Sequence, residues 1–223
     1  DLAFPQPTTY LSPFDSSRVS LWNRAHFGLS LLRWPKRQDG LVTDDCPTCD
    51  PVLDLRSDIE AFAADMVVYS STLFDTYDTE VDGHWLTFAS PEFDEAFRSA
   101  LEQLRRTVAS TGASLAILVQ PVPGPHPQSW GDRHGRDAVT FPHINELFRA
   151  FASSHPDVGL IDLDAELCTS TGCRTTDDAG NTIRTDGLHF SHEGARSVAS
   201  FLTSRIEQLT GRGAPPSSPA SQR

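Results

Sequence analysis

The segment Ser90–Gly112 and the run that follows it constrain this chain most. "SPEFDEAFRSALEQLRRTVASTG" places Ser90 where a helix N-cap belongs, Pro91 at the first helical position and Gly112 at the stop. Phe93, Phe97, Leu101, Leu104 and Val108 then share one face at the helical period. Directly after comes "SLAILVQPVP", whose apolar residues are continuous rather than alternating. A strand buried on both faces reads that way, and such strands belong to parallel sheets covered by helices.

The same alternation recurs along the chain. "RVSLWNRA" (18–25) reads as a strand, "SDIEAFAAD" as a helix with Ser57 and Glu60 in capping-box spacing, and "MVVYSS" as the next strand. "FPHINELFRAFASSH" reads as a helix and "VGLIDLD" as a strand. "SHEGARSVASFLTSRIEQLTG" reads as a closing helix with Ala195, Val198, Leu202, Ile206 and Leu209 inward and Gly211 at its end. The order β-α-β-α-β-α-β-α predicts a three-layer α/β/α fold around a parallel sheet. One domain is expected over 1–211, followed by a disordered Pro/Ser-rich tail over 212–223.

Charge excludes some partners. Eighteen Lys and Arg against thirty Asp and Glu give a formal net charge of -12, which repels nucleic-acid backbones and anionic lipid. No apolar run is long enough to span a bilayer. The chain starts at Asp1 and its only methionine is Met66, so further sequence is expected upstream. The four cysteines form two close pairs, Cys46 with Cys49 and Cys168 with Cys173. Local disulfides in an oxidising compartment are the favoured reading. A four-thiolate zinc site and a redox CxxC are the alternatives, disfavoured by the loose second spacing and by the acidic flank Asp44, Asp45 and Asp50.

In parallel α/β sheets, reactive residues gather on loops beyond the carboxyl ends of the strands. Three loops qualify: the one after "MVVYSS", the long "PVPGPHPQSWGDRHGRDAVTF", and the one from Asp164 to Ser191. The last contains "TDGLHFSHEGARS", in which Asp186 and His189 stand three residues apart. That spacing lets the carboxylate accept from imidazole Nδ1 and leaves Nε2 as a base. The same residues also suit an ordinary Asp186-Gly187 turn with His189 as a loop residue. His192 reads as an exposed first-turn residue rather than a metal ligand, and no metal or cofactor is expected. Asp82-Gly83-His84-Trp85 reads as a turn with a packed Trp. His126, Trp130, Arg133 and His134 lie on a Pro/Gly-rich surface loop that could line a sugar-binding cleft.

"RTDGLHFSHEGARSVASFL" resembles the final block of the SGNH hydrolases, especially SGNH domains fused behind a multi-spanning membrane acyltransferase in bacteria. "NRAHFGLSLL" resembles the second block, with Gly28 at its glycine. "DMVVYSSTLFDTYDTEVDGHWLTFASPEFDEAF" resembles the third-strand region of the fused subgroup, and "GLIDLDAELCTSTGC" its last strand and cysteine loop. The resemblance implies that His189 deprotonates a serine, that Asp186 holds the imidazolium, and that the Gly28 N–H helps bind the oxyanion. Two departures accompany it. "SSTLFD" lacks the Asn that adds an oxyanion donor in free-standing members, leaving Ser70, Ser71 or Thr72 for that role. The Gly-Asp-Ser block that carries the nucleophile is not present; it is expected upstream, and its strand would be the central one of the flavodoxin-like sheet that the resemblance implies. Ser16, in "PFDSSR", follows no apolar strand and is a poor nucleophile candidate, and Ser30 reads as a buried or capping serine.

The resemblance therefore implies an extracytoplasmic domain, tethered to a membrane-spanning acyltransferase in the full-length chain, that handles O-acyl groups, chiefly O-acetyl, on a cell-surface glycan. A secreted carbohydrate or lipid esterase is the second enzyme reading. A non-catalytic glycan-binding or scaffold module of a membrane protein is the third.

Overall fold

The computed structural model describes residues 17–22, 30–33, 35–43, 52, 55–122, 133–185, 187 and 189–211, without the side chains of 73 and 133–139. Asp-Gly turns build its small sheet. β1 (Lys36–Gln38) and β2 (Leu41–Thr43) meet across Asp39-Gly40, with φ of 51° and 79°. Both residues are left-handed, as a two-residue hairpin turn requires. After helix α1 (Leu55–Phe62) and strand β3 (Met66–Ser70), the pattern repeats in β4 (Asp78–Val81) and β5 (His84–Leu86), joined by Asp82-Gly83 with the same φ values. The four short strands pair antiparallel in the order β2-β1-β4-β5. Trp85 does pack, beneath the Arg37 guanidinium at 4.6 Å.

The expected helix over Ser90–Gly112 is present as α2 (Pro91–Ala109), with Ser90 Oγ accepting from Phe93 N at 3.2 Å. All five residues assigned to its inner face are buried. Each such side chain contributes about 1.5–3 kcal/mol through removal from water. It leads into β6 (Ser114–Val119), then α3 (Arg133–Ser154), β7 (Val158–Asp162), the short α4 (Leu163–Leu167), the two-residue strands β8 (Cys168–Thr169) and β9 (Gly172–Cys173), and finally α5 (His192–Leu209).

β3, β6 and β7 form a parallel sheet in that order, with Val67 opposite Leu115 and Leu115 opposite Val158. Alternation along β6 feeds two cores. Leu115, Ile117 and Val119 pack with α1, α2 and α3, whereas Leu118 faces α4 and α5. Helices thus cover both faces, and the architecture is the predicted three-layer α/β/α.

The N-terminal expectation is corrected. Over 17–22 the chain is turn and coil, not a strand, and 23–25 lie outside the described residues. Arg18 is ion-paired to Glu207 near the end of α5, and Trp22 leans on Phe62 at 5.5 Å instead of joining a ladder. Among the described residues, β3 pairs only with β6. Val68 of β3 is consequently 38% exposed, and Met66 and Val68 border a groove of about 220 Å³ together with Leu21 and Ile206. The first helix also starts earlier than its sequence cap suggested, at Leu55, which places Ser57 inside it.

Candidate functional site

The carboxyl ends of the three parallel strands are cross-linked by side chains. Beyond β6, Gln120 Nε2 donates to Ser70 Oγ at 2.5 Å and to Ser71 O at 2.8 Å, which ties the end of β6 to the end of β3. Asn145 of α3 donates from Nδ2 to Gln120 O at 2.8 Å. Among the described residues, Ser71 Oγ and Asn145 Oδ1 are buried with no hydrogen-bond partner. Such groups are uncommon in folded proteins. On the other side, Val122 N donates to Asp164 Oδ1 at 3.2 Å, beyond the end of β7.

Asp162 and Asp164 share one cation. Arg149 of α3 donates to both oxygens of Asp162, at 2.7 and 3.0 Å, and to Asp164 Oδ2 at 2.8 Å. Burial raises the Asp162 pKa, but the bonds from Arg149 and from Ala165 N outweigh it and hold the carboxyl below its ordinary value. Asp162 also caps α4 through that Ala165 bond, at 2.9 Å.

The loop bearing His189 is built by nested pairings. Thr176 bridges Thr182, with Asp177 accepting from Ala179 N and Asn181 N inside the turn. Arg184 then bridges Phe190, which brings together the two ends of the segment that carries His189. Ser191 N donates to Ile183 O at 2.8 Å, and the Ser191 hydroxyl caps α5 by accepting from Gly194 N at 2.9 Å. Arg184 Nη1 donates to Val122 O at 3.0 Å, so this loop is fastened to the exit of β6. His189 is half-buried there. His192 is exposed in the first turn of α5.

Several predicted residues lie outside the described ones: Asp186, Gly28, Ser16, Cys46, Cys49, His126 and Trp130. The backbones of Arg133 and His134 are in the first turn of α3, where a loop was expected. Ser30 is buried, as expected, and donates to Asp75 Oδ1 at 2.7 Å. Cys168 and Cys173 are disulfide-bonded across β8 and β9, as their spacing predicted. The bridge stands at the same exit, with Cys173 Sγ 3.8 Å from Val122 O. Sequence reasoning passed over Arg184, Gln120, Asn145 and Asp75. Arg184 was signalled only by adjoining the Asp-x-x-His block. Gln120 was signalled as the polar residue that ends an apolar strand.

A parallel sheet covered by helices, with a histidine-bearing loop fastened to its carboxyl end, is an α/β architecture of the three-layer class. The chain belongs to the family of SGNH domains fused to AT3 domains, whose model matches residues 31–204. Among solved structures, it is similar to the aryl esterase of M. smegmatis, at 14% identity and a TM-score of 0.52 over 81% of this chain and 74% of that one. It is also similar to a carbohydrate acetylesterase family member from Sinorhizobium meliloti, at 16% identity and a TM-score of 0.52 over 82% of this chain and 76% of that one. At these identities the likeness concerns the fold. Comparison with curated protein sequences finds no match.

Proposed function

We propose that this domain handles O-acyl groups, chiefly O-acetyl, on a cell-surface glycan by a Ser-His-Asp mechanism. The observation that carries the reading is the Arg184–Phe190 bridge with the Arg184–Val122 bond, which fastens the Asp-x-x-His loop to the carboxyl end of the sheet. His189 takes the serine proton as the serine oxygen attacks the ester carbonyl, and Asp186 holds the resulting imidazolium. The Gly28 N–H and a group from the Ser70–Thr72 segment receive the oxyanion. The ester C–O bond then breaks, His189 returns its proton to the departing alcohol, and the acyl-serine passes its acyl group to a sugar hydroxyl or to water. The serine comes from a Gly-Asp-Ser strand upstream of Asp1, for which the second edge of β3 is the matching position.

Two features support placement outside the cytoplasm. The Cys168–Cys173 disulfide belongs to an oxidising compartment, and the family is fused to AT3 domains. No helix among the described residues is long and apolar enough to cross a membrane. The fusion that characterises the family is the ground for assigning the membrane tether to an AT3 portion of the full-length protein.

The test uses the full-length protein with p-nitrophenyl acetate and a serine-directed phosphonate. His189→Ala and Asp186→Asn are expected to lower turnover by about 10³-fold or more, and the phosphonate label to map to a serine upstream of Asp1. Asp1–Arg223 alone is expected to be inert and to melt below the extended protein. Unchanged turnover in His189→Ala refutes the reading.

A further inference from the structure

The β3–β6 ladder separates the two serines that end β3. Ser70 stands opposite Leu118 of β6. Ladder partners project their side chains to the same face of a sheet, and successive residues alternate between faces. Leu118 belongs to the cluster that contains Ile183 and Phe190, one on either side of the His189 loop, together with Val198 of α5. Ser70 therefore lies on the face of the sheet that carries the His189 loop, and it is half-buried there. Alternation puts Ser71 on the opposite face with Tyr69, which packs edge-on against Phe148 of α3 at 5.9 Å. The Ser71 hydroxyl is buried on that side.

Gln120 fixes what the Ser70 hydroxyl can do. Its Nε2 donates to Ser71 O at 2.8 Å and lies 2.5 Å from Ser70 Oγ. A carbonyl oxygen only accepts, so the contact with Ser71 O sets which way the amide is turned. The second hydrogen of the same NH₂ group then points at Ser70 Oγ, which must accept it, and the Ser70 hydrogen is left to donate elsewhere. A hydroxyl that accepts one bond is strengthened as a donor in the next. The support behind this pair is firm. Asn145 holds Gln120 O at 2.8 Å, and Thr72 N donates to Asp75 Oδ2 at 2.8 Å on the far side of Ser71. Two residues beyond Gln120, Val122 donates to Asp164 and accepts from Arg184. The short exit segment 120–122 thus holds both the Ser70 hydroxyl and the His189 loop.

We propose that Ser70 is the side-chain oxyanion donor of this domain and that Gln120 is its positioning residue: the Gln120 amide occupies the Ser70 lone pair and turns the hydroxyl hydrogen toward the developing charge. The proposal rests on the acyl-transfer reading above and names which group of the Ser70–Thr72 segment acts. A donor of this kind works when it stands about 2.7–3.1 Å from the place where negative charge develops. Its contribution appears in the transition state, where the oxyanion exists, and not in binding of the ground-state ester. Gln120 touches neither substrate nor nucleophile and acts through Ser70.

The experiment is run on the full-length protein with p-nitrophenyl acetate, each variant being normalised to the sites that a serine-directed phosphonate titrates at completion. In Ser70→Ala, kcat is expected to fall about 10- to 100-fold, with KM within about threefold and the phosphonylation rate falling in parallel with kcat. Gln120→Met removes both amide bonds at similar volume and should give a smaller fall of the same pattern. Gln120→Glu keeps the shape, but the introduced carboxylate accepts the Ser70 hydrogen and withdraws it from the oxyanion, so kcat should fall at least as far as in Ser70→Ala. Because Gln120 acts through Ser70, adding Gln120→Met to Ser70→Ala should lower kcat per site no further. A purely structural role would lower the melting temperature and leave kcat per titrated site intact. With His189→Ala inactive, unchanged kcat per site in Ser70→Ala overturns the proposal alone, as does unchanged kcat in Gln120→Glu where Ser70→Ala does not fold. Fully additive losses in the double variant overturn the positioning role of Gln120. Activity retained in His189→Ala overturns the acyl-transfer reading and the proposal with it.

Discussion

Gly194 is the position where one methyl group should damage both stability and activity. It lies in the first turn of α5, where the helix start is pressed against the backbone of Ile183. A Cβ at Gly194 would stand 2.2 Å from Ile183 O and 2.8 Å from its C and Cα. The obstacle is main chain, so no rotamer change relieves it, and residue 183 must retreat by roughly 1 Å to reach ordinary van der Waals contact. That movement works against the Ser191 N to Ile183 O bond at 2.8 Å and the Ile183 N to Thr175 O bond at 2.9 Å. Overpacking costs about 1–3 kcal/mol, and one lost hydrogen bond adds about 1 kcal/mol. Alanine returns about 1 kcal/mol through helix propensity. The net for Gly194→Ala is a destabilisation of about 1–3 kcal/mol, which for a domain of this size lowers Tm by about 4–8 °C near the middle of that range. Ile183 adjoins Arg184, whose bridge to Phe190 closes the His189 loop, so turnover in the full-length protein should fall beyond the loss of folded protein. Differential scanning calorimetry with p-nitrophenyl acetate turnover on the same samples measures both. A Gly194→Ala protein that melts at or above the parent temperature refutes the close-approach argument, because helix propensity would then have outweighed the clash.

Two further outcomes follow from the site's surroundings. Replacing Cys168 and Cys173 with serine opens a bridge of sequence separation five. A loop that short should yield about 2 kcal/mol, read as a fall in Tm that reduction of the parent reproduces and reduction of the variant does not. Arg149→Met removes the cation that holds Asp162 below its ordinary pKa of 3.8. A depressed carboxylate pKa contributes stability that is present above 3.8 and is lost as pH falls through the folded value. The Tm gap between parent and Arg149→Met should therefore be open at pH 7 and close at pH values below 3.8; a gap that is constant across that range argues against the ion pair as its source.

What the sequence disclosed follows from how local each cause is. The Ser90 cap, the five inward residues of α2 and the continuous run of β6 were legible because period and capping act within a few residues. The β2-β1-β4-β5 sheet was also signalled locally, by Asp39-Gly40 and Asp82-Gly83, but its strands are too short to carry a clear alternation. The "RVSLWNRA" reading failed because a strand is defined by its neighbours: Arg18 and Trp22 found partners in Glu207 and Phe62 instead. The Asp-x-x-His loop was legible as a motif, but its anchoring by Arg184 to Val122 is a contact between residues 62 positions apart. Asp75 was hidden for the same reason. An aspartate in "SSTLFD" reads as a turn residue until the fold brings Ser30 and Leu31 to it.

The half-burial of α5 and the exposure of β3 meet at one groove. Leu202, Ile206 and Leu209 were assigned inward, yet all three are only half-buried, and Ile206 borders the groove beside Met66 and Val68. Each buried backbone group left unpaired along such an edge costs about 1–3 kcal/mol, so a strand entering there gains ladder bonds and covers these side chains in the same step. A strand parallel to β3 and level with it would deliver its carboxyl end beside Ser70, Ser71 and Thr72, because neighbours in a parallel ladder run in the same direction. A serine at that end would stand next to the segment that Asp75 holds, on the side of the sheet to which Arg184 fastens the His189 loop. On the proposed reading, a strand entering there would both complete the core and bring the nucleophile, so that folding and acyl chemistry would meet at the β3 edge.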